Sequence, residues 1–129
     1  MVYAFDFWNT LYPMNDAARR QCAMMQGLVS ALHDSGNEIH IVSAISPGLP
    51  LDNDEAYARM LGEINVPFTK IHRVDHVPAL KVEVLKRIGA GGFWDDSEVN
   101  VIAAREAGIP SNHVGIDADI MQIFCLEQS

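Results

Sequence analysis

Basic residues, cysteine and long apolar runs are what this sequence has least of. Nine lysines and arginines stand against 17 aspartates and glutamates, a formal net charge of −8. A chain this acidic has no general attraction for a phosphate backbone, so nucleic acid is not an expected partner, and room is left only for a local basic pocket. The two cysteines, Cys22 and Cys125, form no C-x-x-C and fall in stretches that read as helices. The expectation is reduced, packed thiols, which fit a cytoplasmic protein. No apolar run approaches the length of a membrane span, and the N-terminus has no basic n-region, so neither a membrane location nor export is expected. His72 and His76 are four apart but lie around the end of a strand, which is poor spacing for a transition-metal site. The Asp52-Asn53-Asp54-Glu55 run lacks the spaced ligands of a calcium loop and reads as a helix N-terminus.

What remains is enough to build a core. Of 129 residues, 49% are hydrophobic, which suits one globular domain over residues 1–129. Val2 to Phe5 is a strand-forming run that ends at Asp6. Asn15 or Asp16 then caps a helix whose buried stripe is Met25, Leu28, Val29 and Leu32, at i, i+3, i+4, i+7, with Gly36 ending it. Ile39 to Val42 is a second strand, closed by Ser43, and Pro47, Gly48 and Pro50 make a loop. A second helix starts within Asp52 to Asp54 and turns Tyr57, Met60, Leu61 and Ile64 inward. A weaker third strand lies around Phe68 to Val74. Pro78 opens a third helix with Leu80, Val84, Leu85 and Ile88 inward. Phe93-Trp94 is a short strand closed by Asp95-Asp96, and a fourth helix runs through Val99, Ile102 and Ala103. A fifth strand at His113 to Ile116 and a last helix near Asp119 to Leu126 follow. Met24-Met25 and Trp94 read as core.

Strands alternating with helices predict parallel strands joined by right-handed crossovers: a three-layer α/β/α sandwich on a five-stranded, Rossmann-like sheet. Three strands end in polar residues, at Asp6, Ser43 and Asp95-Asp96. In a parallel sheet those ends share one edge, where open α/β sheets bind ligands. Taken alone, Asp6 is equally compatible with capping the next turn. Taken with the other two, it belongs to a site. Up to three carboxylates on one edge repel one another unless a cation sits among them. Oxygen-only donors favour Mg²⁺, and Mg²⁺ beside a free carboxylate, a hydroxyl and a lysine suits phosphoryl transfer. Lys81 has the best position for that lysine, with Lys70 and Lys86 as alternatives.

These residues carry a resemblance. Asp6-Phe7-Trp8-Asn9-Thr10-Leu11 resembles the D-x-D-G-T-L first motif of the haloacid dehalogenase (HAD) superfamily of phosphohydrolases. Ser43 is similar to its second motif, Lys81 to its third, and Asp95-Asp96 with the helix through Ile109 to its fourth. The matches follow the family's order over nearly the whole chain. The resemblance implies an aspartyl-phosphate formed on Asp6, with Ser43 hydrogen-bonding the phosphoryl group and Lys81 neutralising it. It implies Mg²⁺ held by Asp6, the Trp8 carbonyl and Asp96, with Asp95 and Asn100 close by. Backbone N–H groups of the first turn, including that of Asn9, would donate to phosphate oxygens.

The sequence departs from the pattern at Trp8, where the phosphatases carry an acid/base Asp. An indole N–H is a donor only. The open readings are a substrate whose leaving group needs no proton (an acyl or aryl phosphate), a proton supplied by Asp16, His72 or His76, a phosphate-binding or regulatory pseudo-phosphatase, and halide displacement. The last is disfavoured, because the dehalogenases, which carry Tyr at this position, are metal-independent and need a helical cap. Here each interval between motifs is filled by one helix, its loops and one strand. The expectation is therefore a capless, open site, closed by a bulky phosphorylated substrate or by a second copy in a homodimer.

Overall fold

In the computed structural model, which describes residues 1–45 and 53–115, the sheet carries both layers of helices. The elements run β1 (Val2–Phe5), a 3-10 turn (Asp16–Ala18), α1 (Arg19–Asp34), β2 (Glu38–Ala44), α2 (Asp54–Glu63), β3 (Lys70–Val74), α3 (Pro78–Ile88), β4 (Gly92–Asp95), α4 (Glu98–Glu106) and β5 (Ser111–His113). All neighbouring strands are parallel, in the order β3-β2-β1-β4-β5. The chain steps outward from β1 to β3 and then returns to lay β4 on the other side of β1. The order of strands thus reverses at β1, the place where such sheets open a crevice.

Period-two alternation divides the strands between two cores. Tyr3, Phe5, Phe7, Ile39, Ile41 and Trp94 pack with Met25, Leu28, Val29 and Leu32 of α1 and Tyr57 and Leu61 of α2. Ala4, Val42 and Phe93 face the other way, onto Val84 and Leu85 of α3 and Ala104 of α4. Trp94 is fully buried, stacked on Phe5 at 4.7 Å and edge-on to Tyr3, an aromatic core that locks β4 to β1.

The local signals explain most boundaries. The Asn15 and Asn53 side chains accept from the N–H groups of Ala18 and Ala56, so Asn53 is the cap within the predicted run. Pro78 sits in the first turn of α3, and Gly89 closes that helix at φ +67°, a conformation that glycine adopts without steric cost.

Three expectations are corrected. The fifth strand begins earlier, at Ser111, because the Pro110 carbonyl already accepts from Phe93 N–H and Ser111 pairs with Phe93. It also ends earlier, at His113, with Val114 and Gly115 in a turn; Ile116, the helix near Asp119 to Leu126, Cys125 and the loop with Pro47, Gly48 and Pro50 lie outside the described residues. On α4 the buried side chains are Val101 and Ala104, while Val99 and Ile102 are exposed. Met24 is exposed and only Met25 is core, since adjacent helical residues lie about 100° apart.

Candidate active site

Asp6 follows the last residue of β1, and its N–H extends the ladder to the Trp94 carbonyl at 2.9 Å. The carboxyl group therefore emerges at the sheet edge beside Asp95, the last residue of β4. Lys81 reaches both from the first turns of α3, with Nζ 2.7 Å from Asp6 Oδ1 and 2.9 Å from Asp95 Oδ2. All three side chains are buried. Thr10 Oγ1 donates to Asp6 Oδ2 at 3.1 Å. Asp95 is held further by Ser97 N–H at 2.9 Å and Asn100 Nδ2 at 3.0 Å.

Asp96 completes the group. Asp6, Asp95 and Asp96 each offer an oxygen within 4.8 Å of the others, the one such cluster of three or more His, Cys, Asp or Glu among the described residues. Three carboxylates against one ammonium leave excess negative charge in a poorly solvated place. Burial accordingly raises the pKa of Asp6 and Asp96, and pushes Asp95 up to about 6, with the charge of Asp6 adding to the effect. Lys81 is held charged above its usual range by Asp6 and Asp95, against the desolvation that opposes it. Hard oxygen donors with unneutralised charge fit a Mg²⁺ ion.

The first turn is tight. The Phe7 carbonyl accepts from the N–H groups of Thr10, Leu11 and Tyr12. Asn9 has φ +58°, which Asn tolerates better than most residues. This is the position of the Gly in the D-x-D-G-T-L pattern. Its N–H, expected to face phosphate, instead donates to the Tyr12 carbonyl at 2.8 Å. Its side chain accepts from Met14 N–H.

Ser43 differs most from expectation. Alternation places it with Ile39 and Ile41 on the α1/α2 side of the sheet, whereas Asp6, in phase with Ala4, faces α3 and α4. Ser43 is fully buried, and its hydroxyl donates to Tyr57 Oη at 3.0 Å. Trp8 Nε1–H donates to the same oxygen at 3.2 Å. Periodicity marked Tyr57 only as a core residue of α2. Its hydroxyl was not legible as a meeting point for Trp8 and Ser43, because the contact depends on how α2 sits over the sheet.

A cavity of about 180 Å³ is bordered by Asp6, Trp8, Ala44, Lys81, Asp96 and Asn100, among others. The lining residue from β2 is Ala44, not Ser43. His76 also borders this space, the one alternative proton carrier that does. Asp16 pairs with Arg19 at the surface. His72 lies within β3, not at its end, 2.9 Å from His40 Nδ1. Lys70 and Lys86 are exposed.

The sequence matches no family model and no curated protein. Solved structures do match. The D,D-heptose 1,7-bisphosphate phosphatase of B. bronchiseptica, complexed with magnesium and phosphate, superposes with a TM-score of 0.59 at 13% identity, over 85% of this chain and 78% of its own. A HAD-family enzyme of Bacteroides thetaiotaomicron, complexed with magnesium and inorganic phosphate, gives 0.49 at 17% identity, over 84% of this chain and 61% of its own. No helix among the described residues is long and apolar enough to cross a membrane. With five parallel strands and two helices on each face among the described residues, and carboxylates at the edge where the strand order reverses, the chain is HAD-like in fold.

Proposed function

We propose that the protein is a Mg²⁺-dependent phosphotransferase or phosphohydrolase that uses Asp6 as nucleophile, within a single domain over residues 1–129. The observation that carries this reading is the Asp6–Asp95–Asp96 cluster with Lys81 buried between two of its members. Asp6 and Asp96 would hold the ion together with the Trp8 carbonyl, and Asp95 and Asn100 would lie next to it. Bound there, Mg²⁺ supplies charge neutralisation for the phosphoryl oxygens and for the carboxylates themselves. Lys81 and Thr10 orient the Asp6 carboxylate, so that one of its oxygens attacks phosphorus while the bond to the leaving oxygen breaks. Asn100 and Ser97 keep Asp95 aimed at Lys81. Ser43 would hydrogen-bond the phosphoryl group only after giving up Tyr57.

The second reading is a phosphate-binding or regulatory pseudo-phosphatase. Trp8 favours it, because its indole N–H is already engaged with Tyr57 and has no proton-transfer role. The open pocket admits a bulky phosphorylated substrate or closure by a second copy. The free, buried thiol of Cys22 supports a reducing, cytoplasmic location.

Covalent capture separates the two readings. With Mg²⁺, Asp6 should trap beryllofluoride or accept a phosphoryl group from acetyl phosphate, seen as a mass shift absent from Asp6→Asn. Bound Mg²⁺ with neither adduct would leave the pseudo-phosphatase.

A further inference from the structure

The cavity at Asp6 has a side chamber. A space of about 110 Å³ opens between the starts of α3 and α4, walled by Val77, Pro78 and Val99 together with Asp75, and it shares Ala44, His76, Lys81, Ser97 and Asn100 with the main cavity. Val77 and Val99 are 48% and 62% exposed, so neither is needed to fill a core. Their apolar surface stands beside the ammonium that would meet the phosphoryl group. Across the cavity, Trp8 is tied to Tyr57 and packs on Phe7 and Tyr12. The wall where the family's acid would stand is thus occupied by a fixed aromatic ring.

From these features we infer that the substrate is a short-chain acyl phosphate, its hydrocarbon tail in the Val77–Pro78–Val99 chamber; the inference rests on Asp6 acting as nucleophile. In the transfer step an Asp6 oxygen bonds to phosphorus, the bond from phosphorus to the acyl oxygen breaks, and its electron pair leaves on a carboxylate. A carboxylate, whose acid has a pKa of about 4, departs at neutral pH without a proton, whereas a phenolate, with a pKa of about 10, or an alkoxide gains from one. Size also favours the acyl chain over an aryl ring. The chamber is smaller than the roughly 150 Å³ cavity known to hold benzene. Water then takes the phosphoryl group from Asp6, releasing its own proton to solvent and restoring the carboxylate. No titratable side chain stands at Trp8 to speed that second step. The chamber favours a small substrate over the bulky one that the open pocket otherwise admits.

The test uses the full chain with Mg²⁺ and a series of acetyl, propionyl and butyryl phosphate, with glycerol phosphate as the alkyl control. The expected result is a burst of about one carboxylate per chain followed by slower turnover. The burst rate constant divided by its half-saturating concentration should rise up to about fourfold per methylene, the limit for complete burial. Val99→Thr and Val77→Thr keep side-chain shape and charge, and they should flatten the chain-length series. Labelling of Asp6 that ignores chain length, or a series that both Thr variants leave intact, overturns the acyl chamber while Asp6 remains the nucleophile. Glycerol phosphate transferring as fast as butyryl phosphate also overturns it, and would point to His76, on the border of both spaces, as the proton source. No label from any donor, with Mg²⁺ bound, overturns the nucleophile reading itself.

Discussion

Lys81 and Asp6 are 75 residues apart in sequence, yet the Lys81 ammonium lies 2.7 Å from the Asp6 carboxylate, with both side chains buried. Asp6 and Asp95, with Asp96 beside them, therefore share the single charge of the Lys81 side chain. Truncating it in Lys81→Met should cost about 3–5 kcal/mol, because removing one partner leaves buried charges unpaired. Mg²⁺ should restore part of the loss. Urea denaturation with and without Mg²⁺ measures both, and an unchanged midpoint would mean that the carboxylates are solvated and not mutually strained.

Metal binding should depend on pH with a definite sign. Asp95 titrates near 6 in the folded chain against 3.8 ordinarily. Between these values the folded state keeps a proton that the unfolded state has lost. Without metal, this group's contribution makes stability fall as pH rises through that window, by about 3 kcal/mol at ~1.4 kcal/mol per unit. The ion needs the ionised carboxylates. The rise in Tm on adding Mg²⁺ should therefore be larger at pH 7.5 than at pH 5. Equal increments at the two values would contradict this.

His72 works in the opposite direction. Burial, with the charges of His40, Lys70 and Arg87, lowers its pKa from 6.5 to about 4. The folded chain then binds fewer protons than the unfolded chain between those values. Its contribution is complete above pH 6.5 and is lost as pH falls toward 4, by less than the full shift implies because solvent screens part of the ring. Subtracting the pH–stability curve of His72→Phe from that of the parent chain isolates this slope. Parallel curves would show that the ring stays solvated.

Trp8→Asp restores a carboxyl where the family pattern has one. Hydrolysis of alkyl phosphates should rise by about 10²–10⁴-fold, the usual contribution of a positioned acid/base. The double variant with Asp6→Asn should be inactive. An unchanged rate would show that the missing acid does not limit turnover.

Tyr57→Phe removes the acceptor shared by the Trp8 N–H and the Ser43 hydroxyl; Ser43 can turn to the Ala44 carbonyl, 3.4 Å away, so the loss of about 1–3 kcal/mol falls on the unpaired indole N–H. Of the two indole N–H resonances in a ¹H–¹⁵N spectrum, one from each tryptophan, that of Trp8 should move and that of Trp94 should hold. If the Trp8 resonance stays in place, its indole does not depend on Tyr57.

The alternation of apolar strands and amphipathic helices determined the three-layer architecture without further information, because periods of 2 and 3.6 are local properties of the chain. The same local reading put Asp6 and Asp95-Asp96 at strand ends, and parallel pairing alone then brings such ends to one edge. It could not see side-chain phase across strands. Ser43 and Asp6 both end apolar strands, but the register of β1 on β2 turns them to opposite faces, and Ala44 takes the place beside Lys81. Nor could it see that Asn9 would use its N–H within the turn, or that α2 would bring Tyr57 to both Trp8 and Ser43. Those outcomes depend on register and helix placement, which packing sets between segments far apart in sequence. Sequence alone was enough to propose a carboxylate site, and tertiary packing decided which hydroxyls and amides remain available to it.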